Sequence, residues 1–240
     1  MNAKANDAPP NHVTAAAMPI ESQGPSGLPL TAHGSHGPQP HRSRLVLASS
    51  NRGKLAEIRE LLGDLPVELV AQGDLSIADA DETASTFVEN ALLKARHATA
   101  QSGLPALGDD SGLCVDALGG KPGLYSARYA GRQGDAAANI AKLLDALRDV
   151  DDAQRTAHFY CVLVLLRHAG DPAPLIAEAR WHGSILHAAR GQRGFGYDPV
   201  FFDPALAAGA AELDPAIKNR VSHRGQALAQ LHARLAERHA

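Results

Sequence analysis

Two adjacent carboxylates, Asp109 and Asp110, stand between glycines in the run Gly108-Asp109-Asp110-Ser111-Gly112. Aspartate oxygens suit a hard divalent cation such as magnesium. That ion keeps several of its waters, so one or two carboxylates suffice to hold it beside a phosphate. The run follows the apolar Leu104-Pro105-Ala106-Leu107 and precedes the alternating Leu113-Cys114-Val115-Asp116-Ala117. Its glycines predict a turn between two strand-like segments, and loops at strand ends are common places for chemistry. Neighbouring side chains on a strand point to opposite faces. The two aspartates are therefore expected to differ in task, one toward a cleft and one toward structure. The same five residues are equally compatible with a tight turn of solvated aspartates.

Four further groups carry candidate chemistry. Ser49-Ser50-Asn51-Arg52-Gly53-Lys54 lies between an apolar strand, Arg44 to Ala48, and a helix with Leu55, Ile58, Leu61 and Leu62 at helical spacing, ended by Gly63. Strand, polar loop, helix is a geometry in which free backbone N–H groups and the helix dipole collect an anion, and Lys54 adds charge. The plain alternative is an N-cap with a solvated lysine. Asp79, Asp81 and Glu82 precede a helix expected from about Ser85 to Gln101. They either cap that helix or form the remote half of a metal site completed by Asp110. Phe195 is flanked by glycines in the loop from Arg190 to Pro199, beside Gly196, Tyr197 and Asp198. It is a stacking platform for a base or an aromatic folded back on the core. Ser222 is expected to cap a final helix with His223 and Arg224 in its first turn, where basic residues oppose the dipole unless something negative offsets them. Lys218 sits on the preceding short helix, which opens at Asp214-Pro215.

The elements that must position these residues follow from hydrophobic periodicity. Val67 to Val70 reads as a strand, and Asp135 to Asp149 as a helix carrying Ile140, Leu143, Leu144 and Leu147. Thr156 to Leu166 is the longest strand candidate, and Leu175 to Trp181 pairs with it as an antiparallel hairpin. Val200-Phe201-Phe202 resumes an apolar strand. Residues 1–43 differ from the rest. They lack Phe, Trp and Tyr and hold Pro9, Pro10, Pro19, Pro25, Pro29, Pro38 and Pro40, so they are expected to be a disordered extension of the domain at 44–240.

The chain has 240 residues and a net charge of −3, which gives no electrostatic argument for nucleic acid as a partner. No apolar run approaches the length of a membrane span. Cys114 and Cys161 lie in apolar runs and read as buried free thiols of a reducing, cytoplasmic setting.

Taken in order, the motifs resemble the inosine triphosphate pyrophosphatase family, the non-standard purine nucleoside triphosphate pyrophosphatases. The matching stretches are Leu47 to Lys54, Asp81-Glu82-Thr83, Phe87 to Ala91 with Lys94-Ala95, Asp109 to Leu113, and Gly119 to Gly123 with Tyr125 to Arg128. Gly194 to Pro199 and Ser222 to Leu228 complete them. The resemblance implies an α/β fold with an elongated mixed β-sheet, flanking helices and two lobes around a central nucleotide-binding cleft, in a cytoplasmic homodimer. It implies Mg2+-dependent cleavage of ITP, dITP and XTP to the monophosphate and pyrophosphate. By match, Ser49, Ser50, Asn51, Arg52, Gly53 and Lys54 would cradle the triphosphate. Asp110 would be general base and metal ligand, with Asp81 a second acidic contribution to the metal where the family has glutamate, or Glu82 in its stead. Ser111 would touch substrate, Phe195 would stack on the purine with Gly196, Tyr197 and Asp198 completing that wall, and Lys218, His223 and Arg224 would bind substrate.

Two other readings use the same residues. A Maf-like nucleotide pyrophosphatase also opens with a strand and a Ser-rich loop, but the Phe195 to Asp198 and Ser222 to Arg224 motifs weigh against it. A nucleotide sensor without turnover would have no need of both aspartates together with Lys54.

Overall fold

The computed structural model describes residues 43–63 and 67–239. The expected disordered extension falls on residues outside this set, apart from Ser43, which belongs to the first strand. A seven-stranded mixed sheet forms the centre, in the spatial order β2-β1-β3-β4-β5-β6-β7. β1 (Ser43–Ala48) runs parallel to β2 (Val67–Ala71) on one side and to β3 (Ala106–Val115) on the other. From β3 onward every pairing is antiparallel, through β4 (Thr156–Leu166), β5 (Leu175–Ile185), β6 (Phe201–Asp203) and β7 (Ala208–Gly209). The β4–β5 hairpin has the expected pairing, from Thr156 opposite Ser184 to Leu165 opposite Leu175. β5 runs on past Trp181 to Ile185.

Helices cover both faces, and strand alternation sorts what they cover. On one face Leu47, Leu107, Cys161 and Leu163 pack against Ile58 of α1 (Arg52–Leu61) and against Ala227, Leu228 and Leu231 of α5 (His223–His239). On the other, Val162, Val164 and Leu166 pack against Ala91 and Ala95 of α2 (Phe87–Ser102). A further core gathers Leu113, Phe159, Trp181 and Phe201 with Leu143 and Leu147 from α3 (Ala136–Ala146) and the residue after it. α4 (Pro215–Val221) is capped by Asp214, whose side chain accepts from the Ala216 N–H at 2.9 Å. Among the described residues no helix is long and apolar enough to cross a membrane.

One expectation is corrected. Gly108 to Gly112 is not a turn: β3 runs straight through it, paired with β4 from Ala106 opposite Leu166 to Val115 opposite Ala157. The glycines serve close packing instead. A Cβ on Gly108 would lie 2.0 Å from the Ala91 carbonyl oxygen in α2, and one on Gly112 would lie 2.3 Å from the Gly123 carbonyl oxygen. Both aspartates are thus buried in the middle of the sheet. Charged residues are disfavoured there unless the tertiary structure supplies partners.

Candidate active site

β3 parity sends the two carboxylates apart. Asp109 shares a face with Leu107 and turns toward α1 and α5. Its side chain is fully buried, with Lys54 Nζ 2.5 Å from Oδ1 and Arg224 Nε 2.7 Å from Oδ2. Burial alone would raise its pKa, but Arg224 and Lys54 outweigh that and hold the carboxyl far below the usual range. Asp109 is therefore the structural member of the pair, as strand alternation predicts. It tethers one cation from the first helix and one from the last. Arg224 also donates to Ser111 Oγ at 2.9 Å and to Glu57. The carboxylates of Asp109 and Glu57 are what offset a basic residue in the first turn of α5.

Asp110 faces the other way, toward α2. Its Oδ1 accepts from Lys94 Nζ at 2.8 Å, and the same ammonium lies 2.6 Å from Glu82 Oε1. Glu82 in turn pairs through Oε2 with Arg128 at 3.2 Å. The second oxygen of Asp110, Oδ2, is buried and has no hydrogen-bond partner. Burial raises the Asp110 pKa, and Lys94 and Lys54 only partly oppose the shift. A carboxylate with a raised pKa and a free oxygen at a cleft is suited to take a proton from water.

The substrate- and metal-binding residues expected from the sequence line one cleft of about 840 Å3, within the usual range for a small-molecule site, while Asp109 and Ser222 are not part of its lining. Its end at Ser49 to Lys54 is built as the capping alternative describes. The Asn51 side chain caps α1, accepting from Gly53 N at 2.9 Å and Lys54 N at 3.2 Å, and Ser50 Oγ donates to Asp79 Oδ2 at 2.6 Å. Lys54 is not solvated, since Asp109 holds it inward. At the other end Phe195 leans over Gly53, so closely that a Cβ there would sit 2.7 Å from the ring. The Phe195 N–H donates to Asp198 Oδ2 at 2.8 Å, and that oxygen also accepts from Lys218 Nζ at 2.6 Å. Burial raises the Asp198 pKa, with Lys218 opposing. Tyr197 belongs to the core, its hydroxyl donating to the Ser126 carbonyl at 3.0 Å.

His223 stacks on Phe159, ring centroids 4.9 Å apart and planes within 12°. Its Nδ1 is buried without a partner. Burial, reinforced by Arg224, drives its pKa well below the ordinary value, so the ring is neutral and can offer both a donor and an acceptor nitrogen.

Sequence reasoning gave no role to Glu57, Lys94 or Arg128. Glu57 accepts from both Lys218, at 2.8 Å, and Arg224, and so joins two basic residues from the end of the chain. Its signal was a carboxylate three places after Lys54 on the same helix. Lys94 had a clearer signal, a lysine inside the apolar stripe Ala91, Ala95, Ala98 of α2, where an unpaired ammonium is costly.

The carboxylates fit a hard cation. The orphaned Asp110 Oδ2 is an unused oxygen donor, and Glu82 stands across Lys94 from it. Among the described residues no group of three or more His, Cys, Asp or Glu side chains is placed to hold an ion. One or two carboxylates completed by phosphate oxygens and water is the magnesium pattern rather than a zinc or calcium cage. Asp81 lines the same cleft, while the acidic side chain hydrogen-bonded into the Asp110 group is that of Glu82.

The sequence model of the Ham1 family matches residues 45–234. The chain belongs to the Ham1 family. A dITP/XTP pyrophosphatase of Xanthomonas campestris is 62% identical over 191 residues, covering 80% of this chain and 96% of that protein. One from Burkholderia pseudomallei is 60% identical over 203 residues, covering 83% and 97%. Among solved structures, a HAM1 protein from Coxiella burnetii superposes with a TM-score of 0.75 at 53% identity, covering 81% of this chain and 99% of that one. The Staphylococcus aureus Ham1 protein gives 0.71 at 36% identity, covering 82% and 100%. The mixed seven-stranded sheet with helices on both faces is therefore the Ham1 fold.

Proposed function

We propose that this Ham1 protein hydrolyses non-standard purine nucleoside triphosphates, dITP, XTP and ITP, to the monophosphate and pyrophosphate with the help of Mg2+. The observation that carries this reading is the buried, unpartnered Asp110 Oδ2 at the wall of a nucleotide-sized cleft, beside Lys94 and Lys54. The names of the close relatives support the substrate class.

Lys54 and the α1 N-terminus receive the triphosphate, and Phe195 stacks on the base. Water adds to the α,β-anhydride, the phosphorus–oxygen bond to pyrophosphate breaks, and Asp110 takes the proton that the attacking water loses. Burial of Asp110 makes it a stronger base than a surface carboxylate. Asp110 and Glu82 would hold Mg2+, which would supply charge neutralisation for the phosphate oxygens. Glu82 fits this second position better than Asp81, because it already belongs to the Asp110 group. At the base end, the neutral His223 and the guanidinium of Arg224 offer donors that a 6-keto purine satisfies. Adenine would set an amino donor against them, a mismatch that discriminates strongly.

The test is pyrophosphate release, with Mg2+, from ITP, XTP, ATP, GTP, dTTP and UTP. Preference for ITP and XTP is expected. Preference for the pyrimidine nucleotides would shift the reading to a Maf-like enzyme, and binding of ITP without turnover would shift it to a sensor.

A further inference from the structure

The Lys94 ammonium sits where a cation between Glu82 and Asp110 would be held. It is 2.6 Å from Glu82 Oε1 and 2.8 Å from Asp110 Oδ1, and it donates to the Asp109 carbonyl oxygen at 3.3 Å. The ammonium thus has three oxygen neighbours, and the side chain is only 12% exposed. Glu82 is held on its other oxygen by Arg128. Lys94, Arg128, Glu82 and Asp110 form a charge-balanced set of two cations and two anions. A bare divalent cation entering that set meets carboxylates already neutralised, and at short range the uncompensated charge repels it.

The way out of this arrangement is also visible. Lys54 Nζ donates to the same Asp109 carbonyl oxygen at 3.3 Å. Two ammonium groups therefore converge on one carbonyl beside the phosphate loop, and lysine carries its charge on a flexible stem. An entering triphosphate gives Lys94 an alternative anion within a short swing. The carboxylate oxygens that Lys94 vacates then become available to the metal.

We propose that Lys94 is a built-in competitor for the metal, occupying the ion's place in the free enzyme and yielding it when the triphosphate arrives. The inference rests on the pyrophosphatase reading and adds a coupling to it. Metal binds weakly alone and well with nucleotide because the same side chain must change partners. The coupling is reciprocal by linkage.

The test uses the full chain, Mn2+ as a paramagnetic probe read by electron spin resonance, and ITP binding measured in EDTA. Lys94→Met keeps the length and apolar stem of the side chain and removes the charge. It is expected to tighten Mn2+ binding without nucleotide by about tenfold or more, and to weaken metal-free ITP binding by about tenfold. Lys94→Arg should behave like the wild type in the Mn2+ measurement. Asp110→Asn should lose the Mn2+ site in every background. Opposite signs in the two affinities are the signature, because a purely structural lysine would lower both together. Unchanged or weakened Mn2+ binding in Lys94→Met overturns the inference and leaves the pyrophosphatase reading standing. Failure of wild type and variant alike to bind Mn2+ with or without ITP overturns the metal-assisted reading itself.

Discussion

The neighbouring aspartates should respond in opposite ways to the same substitution. Asp109→Asn removes the charge that pairs with Arg224 at 2.7 Å and Lys54 at 2.5 Å in a fully buried position. Removing one partner of a buried ion pair costs about 3–5 kcal/mol, since the remaining charge stays desolvated. Arg224 keeps Glu57 and Ser111 as partners, which favours the lower end. In a domain of this size each kcal/mol moves Tm by about 2–4 °C, so a fall of about 10 °C is expected at pH 7. Asp110→Asn removes a carboxylate whose burial already works against its charge, while Lys94 keeps Glu82. Its Tm should hold or rise slightly, and hydrolysis should fall by a factor of about 10² to 10⁴.

The pH signs differ too. The folded pKa of Asp109 lies below the ordinary carboxylate value of 3.8. Its stabilisation is therefore present above that value and lost as pH falls toward the folded pKa, and the Asp109→Asn deficit should shrink in acid. The folded pKa of Asp110 lies above 3.8. Its contribution is favourable below that value and lost as pH rises through the folded pKa, so the benefit of Asp110→Asn belongs to neutral pH. Thermal unfolding by circular dichroism at pH 7 and at about pH 3, below the unfolded carboxylate value, with pyrophosphate release from ITP at pH 7, measures all of this. An equal loss of Tm in both variants, or an unchanged Tm in Asp109→Asn, would refute the division of labour.

Three further outcomes are expected. Gly108→Ala drives a methyl to 2.0 Å from the Ala91 carbonyl oxygen, so α2 must shift off β3; overpacking of this kind costs about 1–3 kcal/mol or more, read as a lower Tm or insoluble expression. Phe195→Ala removes the stacking surface, worth about 1–3 kcal/mol per base, and should raise KM for ITP about tenfold while Tm stays put, because the half-buried ring sits in a loop. Deleting residues 1–42 should leave kcat/KM for ITP unchanged, since the Ham1 match begins at residue 45; a large loss would give the extension a role in catalysis.

The helices were legible because their apolar spacing is regular, and the hairpin because a long β-type apolar run and an alternating one flank a short polar link. The cleft residues were legible as chemical types at strand ends and helix starts. Their pairings were not. Asp109 and Arg224 are 115 positions apart, and Glu57 lies 167 from Arg224; no local pattern announces either contact. Glu57 resembled any exposed helix glutamate; Lys94 stood out as a charge inside the apolar stripe of α2, but nothing local named Glu82 and Asp110 as its partners.

The misread turn holds the deeper reason. Glycine marks both a backbone that bends and a backbone that must be approached closely, and the sequence looks the same in the two cases. Here the approach is what matters for function. Gly108, Asp110 and Gly112 share one face of β3, and the two glycines admit the Ala91 and Gly123 carbonyls at distances no side chain would allow. A one-residue slip of β3 would turn every side chain to the opposite face. It would bring Leu107, Asp109 and Ser111 against those carbonyls and exchange the tasks of the two aspartates. The glycines on either side of the pair therefore hold the strand in the one register that leaves Asp109 between Lys54 and Arg224 and turns Asp110, with its free oxygen, to the cleft.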